Sequence, residues 1–230
     1  MFIPIHDANR LRNIELHYAT LSLILINIAI FFLVPVGTPN VGNFMLIPSS
    51  LTGQGPAFGD VPEAVTLLTY SFLHYDFWHL AGNMIFLWVF GDNVEDAVGH
   101  VRFLLFYALC TIGGGLAHVL VAPGSPVPLI GASGAVAGIV AAYLMLHPKV
   151  RIWVLLFAKI PLRLSAMWVL GAWIAYQVAY ALIEGDALVA WWTHVGGVVV
   201  GALLIVVLRR PGIALFDRDL DPAPSGAAPP

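Results

Sequence analysis

The run Ile130-Gly131-Ala132-Ser133-Gly134-Ala135-Val136-Ala137-Gly138-Ile139-Val140 puts a serine hydroxyl at the head of an apolar stretch. No charged residue follows before His147, so 130–147 reads as a helix at membrane depth. A second run, Trp191-Trp192-Thr193-His194-Val195-Gly196-Gly197, opens the last apolar stretch and carries a histidine in a comparable place. A nucleophile-type and a base-type residue thus stand where polar groups are costly, and ionisable groups inside spans default to a functional reading.

The rest of the chain fits that setting. It is 60% hydrophobic and 10% charged, with mean hydropathy +0.88, whereas a soluble domain carries roughly a quarter charged residues. The single Cys110 excludes an internal disulfide and a multi-cysteine metal site. No cleavable signal is apparent, since the short leading segment carries Asp7 and Glu15. No nucleic-acid partner is expected.

Six stretches reach the roughly 20 apolar residues that the hydrocarbon core requires: 16–36, 77–97, 102–122, 130–147, 164–183 and 189–208. The run Ile152 to Ala158 is too short. Lys149, Arg151, Lys159 and Arg163 bracket it, which places it at the interface. The ten Lys and Arg residues sort onto one side. Arg10 and Arg12 precede the first span, and Arg102 follows the second. The four just named follow the fourth, and Arg209, Arg210 and Arg218 follow the sixth. By the positive-inside bias both termini are cytoplasmic.

The expected organisation is a cytoplasmic segment, 1–15, a six-span body, 16–210, with an outer loop of about 37–76, and a tail, 211–230. The loop, with its apolar Phe44 to Ile47, is expected to dip into the outer interface. The Pro- and Ala-rich tail is expected to be disordered.

Orientation sets depth. The fourth span enters from outside near Ile130, with Ser133 just below the edge. The sixth enters near Val189, with His194 roughly 7 Å below it. The second enters near Phe77, and its His79 and Asn83, at i and i+4, share a helix face. These side chains therefore gather in one shallow outer layer.

A serine hydroxyl becomes nucleophilic when an adjacent imidazole takes its proton. Candidate donors for a developing oxyanion are the Asn83 amide, the His79 ring N–H and the Ser133 backbone N–H. No carboxylate shares the layer: Glu184 and Asp186 lie at the outer end of the fifth span, and Asp92, Glu95 and Asp96 at the inner end of the second. The pattern is a Ser–His dyad. Gly134-xxx-Gly138 and Gly197-xxx-Gly201 are small-residue faces that let two spans approach closely.

These residues resemble the rhomboid family of intramembrane serine proteases over roughly 66–208. Gly131-Ala132-Ser133-Gly134 is similar to the family's nucleophile motif, and His194 with Gly197 and Gly201 to its base-bearing span. His74, His79 and Asn83 match the opening of its second span. Gly91-Asp92-Asn93-Val94-Glu95 with Gly99 matches that span's end.

The resemblance implies an all-α membrane protein, a six-helix bundle without metal or cofactor, that cleaves transmembrane protein substrates within the lipid bilayer near their outer ends. It implies Ser133 as nucleophile, His194 as base, and His79 and Asn83 as oxyanion donors. Gly131, Gly134, Gly138, Gly197 and Gly201 are the supporting glycines. Two features depart from some members: Ala137 stands where they have an aromatic against the base, and Val65-Thr66 where they have a Trp-Arg pair.

The remaining polar residues have plainer readings. His74 holds the loop, His118 packs, and Glu95 and Arg102 cap and close the inner turn. Trp191 and Trp192 are aromatic-belt anchors. Trp168, Trp173, Tyr176 and Tyr180 on the fifth span form a bulky face against which substrates would enter, between spans two and five. A catalytically silent relative that binds and routes membrane proteins is the alternative class. A metal permease using His74, His79 and His194 is a third, disfavoured because these residues sit at one end and not at mid-membrane. A bacterial inner membrane is expected; the sequence leaves the oligomeric state open.

Overall fold

A computed structural model describes residues 2–38, 40–57, 59–183 and 190–216. Glu184, Asp186, Val189, Arg218 and the tail from 217 onward, on which several expectations fall, lie outside the described residues. In chain order the elements are β1 (Phe2–Asp7), α1 (Tyr18–Leu33), α2 (Pro48–Leu51), α3 (Glu63–Thr69), α4 (Phe77–Val98), α5 (His100–Val121), α6 (Ser133–Leu146), β2 (Arg151–Leu156), β3 (Ile160–Ser165), α7 (Ala166–Ile183) and α8 (Trp191–Leu208).

Each apolar stretch became a helix, with ends within about three residues of those expected. By length and composition α5, α7 and α8 are able to cross a membrane, and α1 and α6 are shorter apolar helices. The 22 residues of α4 include Asp92, Glu95 and Asp96 near its end. The helix α6 is central, packing on α4, α5, α7 and α8. Its start is later than expected because Leu129 is drawn into an antiparallel bridge with Leu46. Gly131 then takes φ +116°, which a helix cannot continue through.

The fold is mostly helical and not all-α. Residues 151–165, expected as an interfacial run, form the antiparallel hairpin β2–β3, and β1 pairs with β2 to complete a three-stranded sheet. Alternation explains it: Ile152 and Val154 are buried, whereas Arg151 and Trp153 face out. At the tip Lys159 N–H donates to Leu156 O at 3.1 Å. Phe157 and Ala158 both take left-handed φ, 52° and 56°, as a type I′ turn demands.

The outer loop folds over the bundle. Leu46, Tyr70, Val119 and Leu129 form a small core of their own beneath it, and Tyr70 Oη donates to Thr111 O at 2.8 Å.

At the other end the basic segments meet. Ala8 N–H donates to Arg151 O at 3.2 Å, Arg210 N–H to Ala97 O at 2.8 Å, and Phe216 N–H to Met145 O at 2.6 Å. Arg102 donates to Leu208 O at 3.3 Å. The carboxylates of α4 organise this end. Glu95 accepts from Ala19 N, Thr20 N and Thr20 Oγ1 at 3.0, 2.7 and 2.6 Å, capping α1. Asp96 gathers the backbone N–H groups of Arg12, Asn13 and Ile14 at 3.1, 2.6 and 2.8 Å.

Candidate active site

Ser133 is the first residue of α6 and His194 lies in the first turn of α8. Their side chains meet, Ser133 Oγ to His194 Nε2, at 2.8 Å. Backbone contact makes this possible. A Cβ added at Gly197 would strike Gly134 O, and one at Gly201 would strike the Gly138 backbone. Two helices that touch main chain to main chain bring their first-turn side chains within hydrogen-bond reach.

The other expected residues converge on the same place from α4, whose start is capped by Asp76 Oδ1 accepting from His79 N–H at 2.8 Å. A Cβ added at Gly131 would lie 2.6 Å from His79 Nε2 and 3.8 Å from Asn83 Nδ2. The His79 ring and the Asn83 amide thus stand over the backbone two residues before Ser133. Asn83 is buried, and its Nδ2 makes no hydrogen bond among the described residues. The first N–H groups of α6, beginning with that of Ser133, have no carbonyl one turn earlier in the helix to bond.

His74 serves the loop. It is buried, accepts a long 3.5 Å bond from Ala132 N–H, and meets the His79 ring at 5.2 Å. Burial, and secondarily His79, lower its pKa to about 4, so the ring stays neutral and its Nε2 remains an acceptor.

His194 Nδ1 is buried without a hydrogen bond among the described residues. Aromatic rings hold the imidazole instead. Trp191 meets it edge-on at 5.9 Å and Trp173 lies at 6.4 Å with a 31° tilt. Trp191, expected as a belt anchor, therefore packs on His194 and also on Tyr176 and Tyr180. The signal was present in the spacing: Trp191 and His194 are i and i+3, one face of α8. Trp173 comes from α7, and no local pattern pairs it with His194.

A cavity of about 650 Å³ opens over the pair, lined by Ser133, His194, His79, Gly131, Tyr75 and Val127 among others. Its walls are mainly apolar side chains with a few convergent polar groups, the make-up of a binding cleft.

The rhomboid domain family matches residues 61–211, more than half of the chain. The chain belongs to the rhomboid family. It is similar to the mitochondrial RHOMBOID-like protein 12 of Arabidopsis thaliana, 29% identical over 161 residues, which are 63% of this chain and 46% of that protein. It is 28% identical to the mitochondrial Rhomboid protein 1 of Saccharomyces cerevisiae over 62% of this chain and 41% of that one. It is also 28% identical to the Rhomboid protease GluP of Bacillus subtilis, over 87% of this chain and 37% of that protein. The chain thus spans less than half the length of each. Family and apolar helices together make this rhomboid a membrane protein. Two of these three relatives are mitochondrial, and the expected bacterial inner membrane gains no support from them.

Proposed function

We propose that this rhomboid is an intramembrane serine endopeptidase in which Ser133 is the nucleophile and His194 its base. The 2.8 Å contact between Ser133 Oγ and His194 Nε2, inside a cleft large enough for a peptide segment, carries the reading. In the proposed reaction Ser133 Oγ attacks the scissile carbonyl as His194 Nε2 takes its proton. The tetrahedral oxyanion sits against the N-terminal end of α6, where the Ser133 N–H, the His79 ring and the Asn83 amide converge. His194 then returns the proton to the leaving amine, and water repeats the sequence on the acyl-enzyme. Two aromatic rings position the imidazole, with no carboxylate taking part.

In this reading the six helices α1, α4, α5, α6, α7 and α8 span the bilayer, with both termini on the cytoplasmic side. The gathering of the basic segments at one end supports that orientation. Substrates are transmembrane helices weakened near the outer surface by Gly, Pro or polar residues, because a regular helix keeps its carbonyls bonded. Entry runs between α4 and α7, whose aromatic contact is Phe86 on Trp173 at 5.8 Å. A smaller residue at Phe86, which leaves Trp173 on the His194 ring, should raise turnover of a transmembrane substrate in liposomes; unchanged turnover removes the gate from the scheme.

The deciding experiment is fluorophosphonate labelling of the purified protein. Labelling that needs both Ser133 and His194 supports the protease. Folded protein that neither a bulky nor a small fluorophosphonate labels belongs to the silent class.

A further inference from the structure

The cleft over Ser133 and His194 has one carboxylate and no Lys or Arg in its described wall. That carboxylate is Asp76. It uses one oxygen to cap α4, Oδ1 accepting from His79 N–H at 2.8 Å, and its Oδ2 makes no hydrogen bond among the described residues. No cation of this chain is at hand to pair with it. The ten Lys and Arg residues fall in 10–12, at 102, in 149–163 and in 209–218, and none lies in 13–101. Arg210 meets Ala97 at the far end of α4, roughly 30 Å along the helix.

Capping does not account for the charge. Asn and Ser cap helices as Asp does, and neither brings a full negative charge into a mainly apolar cleft. Beside it Tyr75, 76% exposed, lines the same cleft. Val127, Pro128 and Ile130 supply apolar wall. A free carboxylate, an open tyrosine ring and an apolar wall are what a long basic side chain uses. Its head pairs with the first and stacks on the second, while its methylene stem lies along the third.

We infer that Asp76 and Tyr75 form a subsite for an arginine or lysine of the substrate, close to the scissile bond. The inference rests on the protease reading above and names the side chain that the same cleft selects. Asp76 stands one helical turn, roughly 5 Å, before His79, and an extended chain advances roughly 3.3 Å per residue. The basic residue therefore falls within about three positions of the bond that is cut. An acidic residue there meets a like charge and is rejected. Arginine is favoured over lysine, because a planar guanidinium both forks onto a carboxylate and stacks on a ring. In the proposed orientation the subsite faces the outer side, where the flanks of spans are poor in Lys and Arg. A basic residue in that place sets a substrate apart from most transmembrane helices.

The test is turnover by the full chain in liposomes. A transmembrane substrate is remade with Arg, Gln or Glu, one at a time, at the positions flanking the cut. At one position or more Arg should exceed Gln in kcat/KM by about tenfold, the sum of an exposed ion pair and a cation–π contact, with Glu below Gln. Asp76→Asn and Asp76→Ser keep a capping side chain and lose the charge. In both, the ratio of Arg to Gln should fall several-fold and Gln and Glu should level, while melting temperature holds. A substitution that merely loosened α4 would lower all three substrates together and leave the ratios as they were. Equal turnover of the three by the wild type overturns the inference and leaves the protease reading standing. An arginine preference that survives in both folded variants overturns the subsite. Folded wild type that cuts no transmembrane substrate and takes no fluorophosphonate removes the protease reading, and the inference falls with it.

Discussion

The two ends of α4 both carry polar side chains and use them in opposite ways. At the C-terminal end Glu95 and Asp96 are buried and heavily bonded: Glu95 caps α1 and meets His100 Nδ1 at 2.5 Å, and Asp96 collects the turn at residues 12–14. At the N-terminal end His79 and Asn83 stand over Gly131, where Asn83 Nδ2 and His194 Nδ1 make no hydrogen bond among the described residues. Buried polar groups in folded proteins are nearly always paired. A saturated cluster is architecture, and in the proposed reading the one held open beside the cleft receives a substrate's carbonyl.

The comparison breaks most sharply at the pair itself. Ser133→Ala and His194→Ala should each lower turnover of a transmembrane substrate about 10⁴-fold or more, with little further loss in the double variant, because the two act as a unit. Melting temperature should hold. Additive losses would mean that they do not act together.

Asn83→Ala should slow turnover on the order of 10²-fold as one oxyanion donor among several. Since its amide nitrogen makes no hydrogen bond among the described residues, stability should barely change. A large drop in melting temperature would move Asn83 to the architectural class.

Glu95→Gln tests the opposite end. The amide that replaces one oxygen turns a donor toward the donors of α1, at a cost of about 2–3 kcal/mol. Thermal melting in detergent should show that loss, while fluorophosphonate labelling per folded molecule stays at the wild-type rate. Reduced labelling without reduced stability would place Glu95 in communication with the site.

The smallest effect is a pH dependence at Asp7, which accepts from Tyr143 Oη at 2.6 Å and Asn93 Nδ2 at 3.0 Å and so ties β1 to α6 and α4. Its carboxyl has an ordinary pKa of 3.8 and about 7 when docked. The docked strand therefore holds the proton more tightly. Docking is strongest below about pH 4, weakens as pH rises toward 7, and is flat above that. Hydrogen exchange over residues 2–14 should accelerate between about pH 4 and 7 beyond the intrinsic rate. In Asp7→Asn the excess should vanish, which separates Asp7 from Asp92, His6, His17 and Tyr143 around it.

Much of this was legible in the chain, for local reasons. Apolar runs bounded by charge must become helices in a bilayer, because helices satisfy their own backbone, and so the stretches around 77–97 and 102–122 became α4 and α5 with only small shifts. Ser133, His194, His79 and Asn83 all fall within two turns of the starts of their helices, as counting along the apolar runs expected. The glycines of α6 and α8 announced a close approach before any contact was known. None of this required knowing which helix lies beside which.

Only the tertiary structure decided the rest, because it depends on partners far apart in sequence. Phe2 pairs with Leu156 and Asp7 with Ile152, and no pattern within 1–15 distinguishes a strand awaiting a partner from a loose segment. The hairpin turn at Phe157-Ala158 lacks the Gly, Asn or Asp that would have advertised it. Trp173 reaches His194 because α7 lies beside α8. The chain determined that a serine and a histidine each stand in the first turn of an apolar helix. That they stand 2.8 Å apart, with tryptophans holding the imidazole, was settled by packing, since a hydrogen bond depends on the distance between helices as well as on depth along each one.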